Sequence, residues 1–200
     1  GKTLQTWEPW RRRFLREVIV PRIPQEARAQ VRQHQDAGHT VVMTTATNRV
    51  LTELTAQELS IDHLIATECE VDAQGAYTGR ISGVINMREG KVERLHHWMA
   101  ERGWQPDHCR CVAYSDSIND LPLLEAVTHA TVTQGDVKLR AEALAGHSDG
   151  KRPQIDQRVD RQVSIRSVRG TFDQGAIEPL LTCVECAKCR LFGRMQARAL

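Results

Sequence analysis

Asp116 and Asp120 are two carboxylates four residues apart, and such a pair could bind a hard cation such as Mg²⁺. They follow an apolar run at 112–114 that reads as the end of a buried strand, and they precede a helix that opens at Leu121. Carboxylates at the end of such a strand lie where open α/β sheets bind ligands, and Mg²⁺ takes oxygen ligands beside a phosphate. The alternative is an ordinary helix N-terminus capped by Ser115 or Asp116, with Asp120 favoured by the helix dipole.

Hydroxyl side chains follow a second predicted strand. The apolar residues 41–43 lead into the polar run 44–48, which contains Thr45 and Asn48 and precedes a helix predicted at about 49–59. Hydroxyl groups and helix N–H groups at a strand end suit the binding of a phosphate. An N-cap cluster for the helix is the alternative interpretation.

A lysine is the candidate functional residue of a third region. Lys91 lies near the start of a helix predicted over 89–103, in which Val92, Leu95 and Met99 form an apolar stripe. A cation at a helix N-terminus opposes the helix dipole, so this placement indicates that an anion binds there. The three regions together supply hydroxyls, a lysine and a carboxylate pair, which are the parts needed to hold a phosphate and its Mg²⁺.

The elements that must position these residues alternate between strands and helices. Helices are predicted within 7–35, interrupted by Pro21 and Pro24, followed by strands at 62–66 and 130–132, a hairpin over 68–82 and a last helix over 137–145. This alternation predicts a parallel α/β sheet. His63 has no partner visible in the sequence, and we interpret it as structural.

The composition excludes several classes of protein. The 200 residues are 40% hydrophobic with a formal net charge of +2, which suits one domain with or without an appendage. There is no apolar run long enough to span a membrane and no signal peptide, so we expect a cytoplasmic protein. Tryptophans and arginines interleave within 7–19, but this pattern is more typical of an amphipathic helix with a solvated basic face than of a nucleic-acid site.

Three motifs carry a family resemblance. They are VVMTTATN at 41–48, REGKVERL at 88–95 and YSDSINDLPLLEAV at 114–127. With them, residues 1–146 resemble the haloacid-dehalogenase-like phosphatases, in the branch that includes phosphoserine phosphatase. The resemblance implies a Rossmann-like parallel sheet with the remnant of a helical cap. It also implies Mg²⁺-dependent hydrolysis of a phosphomonoester, with a small phosphorylated metabolite as the partner.

The resemblance also assigns roles to individual residues. Thr45 would hydrogen-bond the transferring phosphoryl group, and Lys91 would neutralise that group, so these two are the catalytic candidates. The substrate-binding candidates are Thr45, Asn48, Lys91 and Asn119, and the metal candidates are Asp116, which would ligate Mg²⁺, and Asp120, which would support the site.

The sequence departs from the family in one respect. The family begins with a strand ending in Asp-x-Asp, whose first Asp is the nucleophile, and no Asp-x-Asp occurs here. We therefore divide the chain into a cap remnant at 1–37, a core at 38–146 that lacks its first strand, and a linker with a poorly structured tail at 147–200. We expect this chain to be inactive, and a non-catalytic phosphate-binding remnant is the alternative function.

The absent strand would lie in mid-sheet, between the strands that end near Thr45 and Tyr114. Those strands could pair directly, a tail segment at 162–168 could fill the gap, or the chain could be unstable. Since 162–168 alternates apolar with polar residues and a central parallel strand is usually apolar throughout, we expect direct pairing or instability rather than insertion.

The tail contains Cys183, Cys186 and Cys189. The segment 183–196 resembles the active-site segment of the endoplasmic-reticulum thiol oxidases, although the rest of such an oxidase is not recognisable here. A thiol redox or metal-binding protein acting through these cysteines is thus a further candidate function. Three cysteines without a fourth ligand are more often free thiols than a zinc or iron–sulfur site, so we expect a non-catalytic tail.

Overall fold

A computed structural model describes residues 1–133, 136–145, 155–156 and 180–184, with only the main chain described for 144–145 and the last two segments. The helices are α1 (Leu4–Phe14), α2 (Gln25–Asp36), α3 (Arg49–Glu58), α4 (Glu89–Ala100), α5 (Leu121–Glu125) and α6 (Val137–Ala145). The strands are β1 (Thr40–Asn48), β2 (His63–Val71), β3 (Tyr77–Ser82), β4 (Arg110–Ser115), β5 (His129–Val132), β6 (Ile155–Asp156) and β7 (Leu180–Val184). None of the described helices has the length and apolarity to cross a membrane.

The strands form one sheet in the order β3-β2-β1-β7-β4-β5-β6. Neighbouring strands run parallel, except that β2 and β3 form an antiparallel hairpin. The predicted α/β class, parallel sheet and hairpin are therefore confirmed. One difference is that β1 continues through the polar residues 44–48, and its pairing with β2 becomes irregular between Thr45 and Asn48.

The C-terminal part of the chain supplies the strand in the middle of this sheet. β7 lies between β1 and β4, so that Cys183 is opposite Val42 on one side and Ala113 on the other. The expectation that β1 and β4 pair directly is therefore wrong. The inserted strand is 180–184 and not the segment 162–168 considered from the sequence, which lies outside the described residues.

The sequence of β7, Leu-Leu-Thr-Cys-Val, explains why this segment suits the position. A central parallel strand is usually a short apolar run, and LLTCV meets that requirement better than an alternating segment does. Without it, main-chain groups of β1 and β4 would be buried without partners, at about 1–3 kcal/mol each. The division of the chain at residues 37 and 146 stays a prediction, as does instability, but 180–184 clearly belongs to the sheet.

Helices cover both faces of the sheet. Successive residues of β1 point to opposite faces, and apolar residues are buried on each face. Val41 and Met43 belong to one core cluster, with Val31 of α2 and Ala56 of α3. The intervening Val42 belongs to the opposite and larger cluster, which includes the following residues of α4, β4 and α5: Leu95, Met99, Ala113, Leu123 and Leu124. A strand buried on both faces must be apolar at successive positions, which is how 41–43 reads.

The N-terminal helices are attached to the core through polar contacts as well. Arg11 of α1 is buried and forms ion pairs with Glu8 at 3.0 Å and with Glu53 of α3 at 2.7 Å. The second of these pairs joins the predicted cap remnant to the core.

A histidine of α2 makes a second connection, across the inserted strand. His34 Nε2 lies 2.9 Å from the Tyr114 hydroxyl of β4, and His34 Nδ1 lies 2.9 Å from His39 Nδ1. Burial, and secondarily the neighbouring His39, lowers the pKa of His34 to about 4. The imidazole is therefore neutral near pH 7, and α2 is tied to β4 across the position of β7.

Candidate functional site

The site lies at the carboxyl edge of the sheet, where β1 and β4 end on either side of β7. Because these strands are parallel, the residues that follow them meet at one edge. The start of α4 lies against the same edge, since Lys91 reaches the turn after β4. Sequence candidates from three separate regions therefore face a common part of the molecule.

Lys91 and Asp120 form a buried ion pair at this edge. Lys91 Nζ lies 2.5 Å from Asp120 Oδ1, and both residues are 1% exposed. Ser115, the last residue of β4, donates from its hydroxyl to Asp120 Oδ2 at 2.6 Å. Each carboxylate oxygen of Asp120 thus has a protein partner. Lys91 is a cation near the N-terminus of α4, a position that the helix dipole disfavours, and Asp120 is an anion that compensates for it.

The turn from Asp116 to Asp120 is held by a residue that the sequence analysis missed. Asp136, just before α6, accepts hydrogen bonds from the main-chain N–H groups of Leu139 at 2.8 Å and Ile118 at 3.2 Å. Its own N–H donates to the carbonyl of Asp116 at 2.9 Å. An Asp directly before a helix is a recognisable N-cap signal, but nothing in the sequence indicates the second bond to Ile118.

Thr45 lies inside β1, 1% exposed, and its hydroxyl accepts a hydrogen bond from the N–H of Thr47 at 3.2 Å. The Thr45 carbonyl accepts at 2.8 Å from the side chain of Asn86, a completely buried residue that precedes α4. Asn86 was also missed, because an isolated Asn in a connecting segment reads as an ordinary turn residue.

The two asparagine candidates differ in their surroundings. Asn48 accepts from the N–H of Leu51 at 3.1 Å and caps α3, as the alternative interpretation proposed. Asn119 is exposed beside the ion pair, and its side-chain oxygen accepts from Arg88 Nε at 3.4 Å. Arg88 has φ +52°, a left-handed conformation that is uncommon for any residue other than glycine.

The described side chains at the site offer few oxygen ligands for a hard cation such as Mg²⁺. Among residues with described side chains, no group of three or more His, Cys, Asp and Glu residues is arranged to hold a metal. Asp120 is engaged by Lys91 and Ser115, so Asp116 is the candidate for direct ligation. One carboxylate is compatible with Mg²⁺, which commonly keeps several waters and binds one or two carboxylates together with substrate phosphate.

Two of the described cysteines, Cys69 and Cys111, have thiols of low reactivity. Burial, followed by the neighbouring Cys109, raises the pKa of Cys111 to about 11, and burial also raises the pKa of Cys69. Both thiols are therefore protonated at neutral pH. Cys183 belongs to β7, whereas Cys186 and Cys189 fall in the undescribed part of the chain.

Comparisons with known proteins agree with this architecture. A family model described as haloacid dehalogenase-like hydrolase matches residues 1–125. A histidinol-phosphatase of Neisseria meningitidis is 36% identical over 133 residues, which are 66% of this chain and 60% of that protein. A phosphoserine phosphatase of Mycobacterium tuberculosis is 34% identical over 127 residues, which are 64% of this chain and 40% of that protein.

A solved structure has the same fold. A protein with unknown function from Bordetella pertussis Tohama I superposes with a TM-score of 0.70 and 39% sequence identity, covering 73% of this chain and 66% of that one. The chain spans no more than 60% of the two phosphatases named above. The resemblance of 183–196 to thiol oxidases finds no support in these comparisons.

Proposed function

The chain belongs to the haloacid dehalogenase-like hydrolase family, and on that premise we propose that it carries the phosphate- and Mg²⁺-binding part of a phosphomonoester hydrolase. The proposed activity resembles that of phosphoserine phosphatase, and the proposed ligand is a small phosphorylated metabolite. The observation that carries this proposal is the buried contact of Lys91 with Asp120 at the carboxyl edge of the sheet.

A buried lysine and carboxylate are a poor way to stabilise a fold. Both charges lose their hydration, and their mutual attraction in the interior repays that loss only in favourable geometry. Such pairs are therefore good candidates for functional residues when they lie where ligands bind. Here the pair lies beside Asp116 and next to the end of β4, which supports a role in handling phosphate.

We assign the roles as follows. Lys91 provides positive charge to the phosphoryl oxygens, the Thr45 hydroxyl donates to one of them, and Asn119 lies at the exposed side of the site. Asp116 would hold Mg²⁺, while Asp120 keeps Lys91 in place. Bound Mg²⁺ would supply charge neutralisation to the phosphoryl group.

The direct experiment is calorimetric titration of the full chain with inorganic phosphate, with and without Mg²⁺. We expect phosphate binding that is stronger in the presence of Mg²⁺, because cation and anion neutralise each other in the site. Absence of phosphate binding under both conditions would contradict the proposal.

We predict that Asp116→Asn weakens Mg²⁺ binding about tenfold or more, since a charged ligand is replaced by a neutral one, and tenfold corresponds to about 1.4 kcal/mol. Titration with Mg²⁺ measures the effect. The matched control is Asp107→Asn, which changes an exposed carboxylate that precedes β4 and should leave the affinity unchanged. Equal affinities for wild type and Asp116→Asn would remove Asp116 from the site.

We also predict that the chain does not hydrolyse p-nitrophenyl phosphate. The covalent route of the family needs the nucleophile of an Asp-x-Asp motif, and these 200 residues contain none. The measurement is release of p-nitrophenol with Mg²⁺ present, with Lys91→Ala as the control. Hydrolysis that survives extensive purification and disappears in Lys91→Ala would show that another group is the nucleophile.

A further inference from the structure

Asn86 joins three parts of the molecule behind the site. Its side-chain nitrogen donates to the Thr45 carbonyl of β1 at 2.8 Å and to the Ile65 carbonyl of β2 at 2.9 Å. The same nitrogen also lies 2.9 Å from the Thr44 hydroxyl, and the main-chain N–H of Asn86 donates to the Thr67 hydroxyl at 3.2 Å. Because carbonyl groups only accept hydrogen bonds, the nitrogen end of the amide must face Thr45 and Ile65.

The other end of the amide is not satisfied. The side-chain oxygen of Asn86 is buried, and no described residue donates a hydrogen bond to it. A buried acceptor without a donor opposes folding, whereas an apolar residue in this place would avoid that penalty. Packing alone therefore does not explain an asparagine at this position. Its side-chain nitrogen provides hydrogen bonds to main-chain carbonyls of β1 and β2.

We propose that Asn86 is a positioning residue that fixes Thr45 relative to Lys91. The amide holds the carboxyl ends of β1 and β2, and five residues later the same segment presents Lys91 from α4. A phosphate held between the Thr45 hydroxyl and the Lys91 ammonium would be sensitive to the separation of these groups, and Asn86 sets it. This inference rests on the proposed function of the site.

The surroundings of Asn86 permit a test based on pH. The four groups bonded to it are hydroxyls and carbonyls, which do not titrate near neutrality. The charged and titratable residues on β2 and α4 are His63, Glu68, Cys69, Glu70, Glu89, Lys91, Glu93, Arg94, His96 and His97, and Arg94 pairs with Glu68 at 3.2 Å. These groups are common to wild type and variant, so their titration cancels when the two affinities are compared at each pH.

The experiment is titration of the full chain with inorganic phosphate and Mg²⁺ between pH 5.5 and 8, for wild type and Asn86→Asp. The new carboxyl places oxygen against the carbonyls of Thr45 and Ile65, so its ionised form is repelled and burial raises its pKa. We expect the ratio of variant to wild-type dissociation constants to rise with pH, to about tenfold or more at pH 8.

A structural control separates positioning from stability. Thr128→Val removes a hydroxyl that accepts from the Cys111 N–H at 2.8 Å and donates to the Cys111 carbonyl at 2.6 Å, near the amino end of β4. This variant should be less stable but bind phosphate like wild type. If Asn86→Asp does not fold, Asn86→Ala is compared with Thr128→Val at equal folded fraction, and weaker phosphate binding by Asn86→Ala alone supports the proposal.

The outcomes distinguish the inference from the function on which it rests. If wild type binds phosphate and the Asn86 variants bind equally well at every pH, Asn86 is not a positioning residue, although the proposed function stands. If folded wild type binds no phosphate, the proposed function is overturned, and this inference with it.

Discussion

Replacing Thr182 by proline in β7 is expected to lower the free energy of unfolding by about 3 kcal/mol or more. Thr182 pairs with Val41 on one side and Val112 on the other. Proline removes the main-chain donor and brings a ring into a strand that has neighbours on both sides, and proline is essentially confined to edge strands for this reason. Urea denaturation of the full chain measures the change.

The matched control is Thr78→Pro in β3, the edge strand of the sheet. This change removes the same side chain from a strand with a partner on one side, and we expect a clearly smaller loss. Hydrogen exchange provides a second measurement, in which the amides of 181–184 should exchange as slowly as those of 41–43. Rapid exchange of 181–184 in the folded chain, or equal effects of the two prolines, would mean that β7 is not a central strand.

Lys91→Met is expected to destabilise the chain by about 3–5 kcal/mol, because it leaves the buried carboxylate of Asp120 without its cation. The double variant Lys91→Met/Asp120→Asn removes both charges and should recover part of this loss. Chemical denaturation of the single and double variants gives the coupling between the two residues.

An exposed ion pair provides the comparison for Lys91. Arg13 and Glu17 of the N-terminal helical region are 2.9 Å apart and open to solvent, so Arg13→Met should change stability little. A double variant at Lys91 and Asp120 that is no more stable than Lys91→Met would show that burial of the Asp120 charge is not what destabilises the single variant.

The local pattern of apolar and polar residues was sufficient to predict most of the helices and strands. The apolar stripe of 89–103 corresponds to α4, which ends three residues earlier at Ala100, and the apolar runs at 41–43 and 112–114 lie in β1 and β4. These elements are long or strongly patterned, and each pairs with a neighbour of similar character. Lys91 at the start of α4 and Asp120 after β4 are in contact, and the functional roles predicted for them stay predictions.

The remaining features depend on contacts between distant parts of the chain. Five apolar residues such as 180–184 do not show by themselves whether they form a strand, or which strands they would join. Asn86 and Asp136 are likewise ordinary polar residues in sequence, and their importance comes from acceptors and donors on other elements. Periodicity carries no information about such contacts.

The position of β7 also determines when the sheet can be completed. Its two neighbours, β1 and β4, are made before it during synthesis, and the segment between the end of β1 and the start of β7 is about two thirds of the chain. Pairings between distant segments form slowly, because the loop must close before any contact rewards it. Until β7 docks, β1 and β4 present open strand edges to other chains in the same state. Aggregation during folding should therefore compete with insertion of β7, so the yield of folded protein will fall as the concentration of refolding chains rises.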